Sequence, residues 1–229
     1  MLKPRLERIN PNEVLLYLGY GGGEVPPELE ADIDSCIEEV ERTARPRVTY
    51  RVFPLADGRL QGVDFPLQGQ DIRRHLAGCT LAVLMAATLG PDIETLLMRA
   101  QVQDMARALI LDSCASTAIE NVCDCFEADL RRAAGVDGRF LTDRFSPGYG
   151  DMPIEQQRDF CDLLDTRRRI GLTVSQSGIL LPRKSVTAVL GTADTPRTRR
   201  SSGCANCSMF RSCQLRKNGR VCGGTEGTP

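Results

Sequence analysis

The chain of 229 residues is 41% hydrophobic and 26% charged, a composition typical of soluble globular proteins. It carries 29 basic and 30 acidic residues, and the resulting formal net charge of −1 argues against a nucleic-acid binder. Its longest apolar-rich run, 76–89, is shorter than the roughly 20 residues of a membrane-spanning helix, and its first residues lack a signal peptide's apolar segment, which predicts a cytoplasmic protein without membrane contact.

Hydrophobic periodicity predicts helices and strands that alternate irregularly along the chain. The predicted elements are, in chain order, a helix over 27–44, a strand over 47–53, a turn at Asp57-Gly58 that returns through 60–65, a short helix over 71–76, a strand over 80–88, a helix from Pro91 to about 102, a long helix over 104–134 ended by Gly135 and Gly138, a helix over 155–168 and a strand over 185–190. Periodicity leaves a helix as the alternative for 80–88. The irregular order favours an α+β fold over a doubly wound parallel sheet.

One short segment in the second half of the chain carries the strongest functional signal. Residues 144–151 read Arg-Phe-Ser-Pro-Gly-Tyr-Gly-Asp. The Arg144 guanidinium matches a carboxylate in bidentate geometry, Pro147-Gly148 predicts a chain reversal with exposed backbone amides, and Tyr149 offers a ring face and a hydroxyl. These groups suit a small zwitterionic ligand with an amino-acid end and a flat end. A surface turn with an ordinary ion pair is the alternative interpretation.

The segments around this turn resemble a known family. After the turn come an amphipathic run that ends at 167–169, a Ser-containing segment over 174–182 that ends in Pro, and Ser185-Val186. This order resembles the activation (S-adenosylmethionine-binding) domain of cobalamin-dependent methionine synthase, which carries an Arg-x-x-Pro-Gly-Tyr turn, a helix, and a Ser segment that leads to Pro and Ser-Val. Residues 84–90 and the helix near 118–120 are similar as well.

The resemblance implies both a fold and a ligand site. The fold is a mixed, largely antiparallel sheet packed with helices over residues 1–191. At the site, which the resemblance places at the turn, Arg144 would pair with the carboxylate of S-adenosylmethionine and Tyr149 would fix the ligand near its sulfonium. Phe145 would offer backbone contacts, and the binding turn is completed by Pro147 and Gly148. The protein would position the ligand and would supply no acid–base residue of its own.

The function implied by the resemblance is reductive methylation of a corrinoid cofactor that has slipped to the inactive cobalt(II) state. The sequence shows no resemblance to a cobalamin, folate or homocysteine module, so the expected partner is a separate cobalamin-binding methionine synthase or another corrinoid protein, together with an electron donor. Two features of the family have no match in this sequence: an acidic ligand contact near the N-terminal end, and an aromatic-rich strand where this chain continues from 185–190 into Gly191-Thr192.

Two other candidates carry weaker signals. The Gly-rich stretch at 19–23 lacks the Gly-Lys-Ser/Thr of a phosphate loop, and we interpret it as a turn. His75 is the single histidine, and a structural or exposed role is expected for it. A hydrolase of the Ser-His-Asp or Cys-His type would depend wholly on this residue.

The composition changes after Gly191, and residues 192–229 are predicted to form a basic linker and a cysteine-rich tail. Four thiolates in a C-x2-C-x5-C-x8-C pattern suit tetrahedral zinc or an iron–sulfur cluster. A basic tail with reduced thiols is the alternative. A metal-bearing redox or interaction module is accordingly the second function hypothesis, and a cluster there could deliver the reducing electron. The predicted metal ligands are Cys204, Cys207, Cys213 and Cys222.

Overall fold

The computed structural model describes residues 3–20 and 24–195 of the chain. Helices and strands are interspersed there, which confirms the predicted α+β class. The elements are α1 (Pro11–Tyr17), α2 (Pro27–Thr43), β1 (Arg47–Ala56), β2 (Arg59–Leu60), α3 (Gln70–His75), β3 (Leu81–Thr88), α4 (Pro91–Gln103), α5 (Met105–Val136), β4 (Phe140–Leu141), α6 (Gln156–Leu164), α7 (Thr166–Ile170), β5 (Thr173–Val174), β6 (Leu180–Leu181) and β7 (Ser185–Ala193).

The main sheet is antiparallel and has five strands in the order β2-β1-β3-β7-β4. At its centre, Met85 of β3 lies between Tyr50 of β1 and Ala188 of β7. A separate antiparallel hairpin is formed by β5 and β6. The expectation of a largely antiparallel sheet is therefore confirmed, and residues 80–88 contribute a strand rather than a helix.

Helices cover both faces of this sheet, and each face has its own apolar core. Successive side chains of a strand point to opposite faces. In β3, Val83 and Met85 therefore join the core that contains α1, α2, α4 and α5, while Ala82 and Leu84 join the core that contains α3, α6 and α7. A strand covered on both faces has no polar side, which explains the unbroken apolar run of β3.

The long helix α5 is the main support of the site described below. It begins after Asp104, whose carboxylate accepts a hydrogen bond of 3.1 Å from the Arg107 amide, as an N-cap residue does. It runs 32 residues and continues through Gly135, which therefore does not end it as predicted. No helix in the described residues is both long enough and apolar enough to cross a membrane.

The structure corrects several predicted boundaries. The helix predicted over 155–168 is divided into α6 and α7, because Asp165 adopts a left-handed backbone conformation with φ of 52°. The strand after the Asp57-Gly58 turn ends at Leu60 instead of continuing to residue 65. Helix α1 and the short strands β4, β5 and β6 were not predicted.

The end of β7 bears on the predicted linker. Thr192 and Ala193 belong to this strand and pair with Leu81 and Phe140, so the chain is still part of the sheet two residues beyond the predicted boundary at 191. The division into a domain over 1–191 and a tail over 192–229 stays a prediction, because residues 196–229 lie outside the described residues.

Six of the cysteines lie in the described residues, and all six are buried. Burial raises the pKa of Cys36 to about 11 and that of Cys114 to about 12. Both thiols are therefore protonated near neutral pH and pack as small apolar groups, as expected for cysteines in apolar settings.

Candidate functional site

The predicted turn is present and is closed by hydrogen bonds within the chain. The Tyr149 amide donates to the Ser146 carbonyl at 3.1 Å, with Pro147 second in the turn and Gly148 third. Gly148 has φ of 86°, a value that a type II turn requires at this position and that favours glycine. The Gly148 amide donates to the Met152 carbonyl at 2.9 Å. The chain reversal is thus confirmed, but these two amides are used internally and are not exposed donors.

The turn is attached to the sheet through Phe145. The Phe145 amide and carbonyl both bond to Val189 of β7, at 2.9 and 2.8 Å, so the backbone contacts expected of Phe145 are already made with the protein. The buried Phe145 ring lies 5.4 Å from the Tyr149 ring in an edge-to-face arrangement and 5.4 Å from the His75 ring. Tyr149 itself is 62% exposed. A rigid aromatic base therefore holds an accessible tyrosine ring.

The turn is also attached to α3 through Asp151. Its two carboxylate oxygens accept hydrogen bonds from the amides of Gln70 (2.6 Å) and Asp71 (2.9 Å), the first two residues of the helix. These amides have no partner within the helix, so Asp151 caps α3 from a distant part of the sequence. The amides of Asp71 and Gln70 hold the pKa of Asp151 below its usual range.

Arg144 does not project freely into solvent: its side chain is only 18% exposed and is surrounded by carboxylates. Its Nη1 lies 2.9 Å from Glu127, and its Nη2 lies 3.0 Å from Glu120 and 2.8 Å from Asp124. The three acids occur on α5 at a spacing of four and three residues, which places them on one helix face. Burial acts to lower the pKa of Arg144, but Cys123 and the three carboxylates outweigh that effect and raise it.

The carboxylate cluster extends to a second arginine. Arg131 forms an ion pair with Glu127 and another, at 3.2 Å, with Asp143, and its Nη1 donates to the Leu141 carbonyl at 2.9 Å. The Asp143 carbonyl in turn accepts a hydrogen bond of 2.8 Å from His75 Nε2. These contacts fasten residues 141–144 to α5 and give His75 a structural contact beside the turn.

Helix α1 adds a further acidic group to this region. Burial and the nearby charges of Asp124 and Glu120 raise the pKa of Glu13. The pKa of Tyr17, one turn further along α1, is raised by burial and by the same carboxylates. We call four carboxylates the acidic ledge, namely those of Glu13, Glu120, Asp124 and Glu127.

The acidic ledge was missed by the sequence analysis. The spacing of its α5 members is visible in the sequence, but many exposed helices carry acids at such spacing. What distinguishes these three is that they converge on Arg144, a contact across 17 to 24 residues. Glu13 lies more than a hundred residues away in sequence, and only the packing of α1 on α5 brings it close.

The remaining predicted sites have no counterpart near the turn in the part of the chain that the structure describes. The described residues contain no group of three or more His, Cys, Asp or Glu side chains that could hold a metal ion. The four predicted metal ligands, Cys204, Cys207, Cys213 and Cys222, lie outside the described residues, as does part of the Gly-rich stretch at 19–23. A cavity of about 620 Å³ between the β1–β2 hairpin and Arg73 includes none of the predicted site residues.

Comparison with known proteins bears on the fold. No protein-family model and no curated protein matches this chain. A solved structure, the crystal structure of the MetH reactivation domain bound to AdoHcy, is similar with a TM-score of 0.61 and 14% sequence identity. The likeness covers 97% of this chain and 90% of that one. The chain therefore has the fold of the MetH reactivation domain, in agreement with the resemblance found in its sequence.

Proposed function

We propose that this protein binds S-adenosylmethionine and presents it for reductive methylation of the cobalamin carried by a separate partner, a methionine synthase or another corrinoid protein. The observation that supports this most strongly is the extent of the likeness to a domain crystallised with AdoHcy, since it includes nearly the whole of both chains. The proposal places this activity in the cytoplasm, with an external electron donor.

The amino-acid end of the ligand would bind at Arg144 by an exchange of charged partners. Its α-carboxylate would take guanidinium donors that Glu120 and Asp124 now occupy, because both share Nη2. Its α-ammonium would then pair with the carboxylates that Arg144 releases. Asp124 is 69% exposed and Glu120 is 40% exposed, so both can turn toward a ligand without opening the core. Every charge keeps a partner in this exchange, which limits the desolvation cost.

The adenosyl and sulfonium end would lie against Tyr149. The exposed ring offers its face, and a cation over an aromatic face is attracted by the ring quadrupole. In this proposal Phe145 contributes through its ring, which supports Tyr149, and Pro147 and Gly148 contribute through the turn that sets the tyrosine direction.

The chemistry proposed for the chain is positioning. The bound sulfonium supplies a methyl group, and the partner's cobalamin, once reduced by an external electron, accepts it. Holding both reactants in register converts an encounter in solution into an oriented one, which lowers the barrier without any acid–base group. His75, bonded to the Asp143 carbonyl, is not used.

Titration calorimetry with S-adenosylmethionine tests this proposal. Arg144→Ala should weaken binding about ten- to a hundredfold, because the charge-assisted contact with the ligand carboxylate is lost. Arg168→Ala is the matched control, since Arg168 is exposed and pairs only with Asp165 among the described side chains. Arg144→Lys keeps the charge and loses the fork, so it should give an intermediate affinity even if the alanine variant unfolds. Equal affinity in wild type, Arg144→Lys and Arg144→Ala would show that the ligand binds elsewhere.

We further propose that the four tail cysteines bind one zinc ion or one iron–sulfur cluster, on the strength of their spacing. Metal analysis of anaerobically prepared protein should find about one site per chain. Truncation before Cys204 should remove the metal and leave S-adenosylmethionine binding intact. Metal at background level in the full chain would refute the site without affecting the proposed function.

A further inference from the structure

The charges around Arg144 do not balance, and this has a consequence for ligand choice. Four carboxylates, those of Glu120, Asp124, Glu127 and Asp143, pair with two guanidinium groups, those of Arg144 and Arg131. Glu13 adds a fifth carboxylate close enough to Asp124 and Glu120 to feel their charge, which leaves an excess of three negative charges. The amino-acid end of the ligand is a zwitterion and would not change this excess. The methyl donor, however, carries a positive sulfonium, whereas the product that remains after methyl transfer carries a neutral thioether.

We infer that the acidic ledge selects the sulfonium form of the ligand over the thioether product, so that loss of the methyl group also loosens the product from the site. This rests on the proposed function and specifies which form of the ligand the same site prefers. Only two methylene groups separate the sulfur from the α-carbon, so the sulfonium remains close to carboxylates that face the ammonium.

Two observations on the described residues support a negative potential at this place. Glu13 and Tyr17 belong to a different helix from Glu120 and Asp124. Burial is the main cause of their raised pKa values, and the charges of Glu120 and Asp124 raise both pKa values further. In addition, Glu127 and Arg144 are largely shielded from water, with 13% and 18% of their side chains exposed. Charges in such a setting are screened less than surface charges are.

The alternative is that the ledge serves only to hold Arg144 in place. Glu127 is suited to that task, because it is mostly buried and bonds both arginines. Asp124 is the most exposed carboxylate of the three and is poorly placed to contribute to stability. Glu120 and Asp124 together are thus the members whose charge can act on a ligand with the least effect on the fold.

The test compares dissociation constants for S-adenosylmethionine and S-adenosylhomocysteine. Three excess negative charges would act on one sulfonium through partly hydrated surroundings. We therefore expect the sulfonium form to bind about tenfold more tightly than the thioether. The isosteric Glu120→Gln/Asp124→Asn variant should bring the ratio of the two constants close to one. Asp129→Asn is the control, because Asp129 lies on α5 but pairs with Arg5 and Arg132.

In wild type, raising the salt concentration from about 50 to about 500 mM should also bring the ratio of the two dissociation constants closer to one.

The outcomes separate this inference from the proposed function. If both ligands bind wild type equally well, the ledge does not select the sulfonium, although the proposed ligand site stands. The same conclusion follows if the ratio survives the double substitution. If neither ligand binds, the proposed function fails and the inference fails with it. The wild-type ratio and its salt dependence need no variant, so they decide the matter even if the double variant does not fold.

Discussion

The two ends of the turn that begins at Arg144 and ends at Tyr149 are held in different ways. Arg144 is held by side-chain charge, through ion pairs with three carboxylates of one helix. Tyr149 is held by backbone hydrogen bonds inside the turn and by the buried ring of Phe145. In the proposed ligand site, the tyrosine end is therefore preformed, whereas the arginine end must exchange partners before the ligand carboxylate can bind.

Because of this difference, ligand binding should cost free energy in a different way at each end of the turn. At the tyrosine end, the side chain and the turn are already ordered, so binding does not incur the entropic cost of ordering them. At the arginine end, binding depends on the balance between old and new charge pairs, so it should respond to salt and to charge substitutions. Substitutions that leave charge alone but deform the backbone should instead act on the tyrosine end and on stability. The predictions that follow use these contrasts, beginning with the largest expected effect.

A substitution at Gly69, which contacts Asp151 at the tyrosine end, should cause the largest loss of stability. Gly69 has φ of 114°, and a Cβ atom there would lie 2.6 Å from Asp151 Oδ1 and 3.0 Å from the Asp151 carbonyl oxygen. Gly69→Ala should lower the free energy of unfolding in urea by about 2–4 kcal/mol, because strain and a backbone clash add. Gly62→Ala is the control, since its φ is also positive but a Cβ would meet no atom within 4 Å. Equal losses in both variants would show that the contact with Asp151 is not tight.

Through Asp151, the stability of the protein at the tyrosine end of the turn should fall in acid. Its pKa is lowered by the amides of Asp71 and Gln70, so the stabilisation is complete above the unfolded-state pKa of about 4 and is lost as the pH falls through the lower folded-state value. Asp151→Asn should therefore be less stable than wild type at about pH 6 and should approach wild type at about pH 3. Urea denaturation at the two pH values measures this gap. If the difference in stability between wild type and Asp151→Asn does not narrow in acid, Asp151 does not cap α3 as a carboxylate.

The smallest effect concerns Glu13 at the charge-held end. Its pKa is raised by burial and by Asp124 and Glu120, so the ionised carboxylate costs stability above the folded-state pKa and nothing below the unfolded-state value. Glu13→Gln should raise the free energy of unfolding at neutral pH by about 0.3–0.5 kcal/mol. It should also weaken S-adenosylmethionine binding. Lower stability of this variant at neutral pH would argue against repulsion within the ledge.

Sequence reasoning succeeded where structure is determined locally. Pro147-Gly148 specifies a turn through its own backbone preferences, and the apolar periodicity of α5 specifies a helix wherever it packs. The order of segments around the turn also led to the correct fold, at a sequence identity of 14% to the similar structure. Short elements without a period, such as α1 and β4, gave no comparable signal.

The partners of the turn could not be predicted because they are distant in sequence. Asp151 caps a helix 80 residues earlier in the chain, and nothing near either residue indicates the contact. Arg144 was expected to pair with a ligand carboxylate, and its pairs within the protein were not predicted, because the orientation of α5 decides that Glu120, Asp124 and Glu127 face it. The division of the helix at Asp165 was likewise invisible, because a left-handed aspartate depends on the packing of both halves.

Recovery of a trapped corrinoid protein tests the central claim most directly. A partner held as cobalt(II) is mixed with a low-potential reductant and S-adenosylmethionine, and the methylcobalt spectrum is followed over time. With this protein the spectrum should return, and with Arg144→Ala at subsaturating S-adenosylmethionine it should return more slowly, in proportion to the loss of affinity. Recovery at the same rate without this protein would contradict the account.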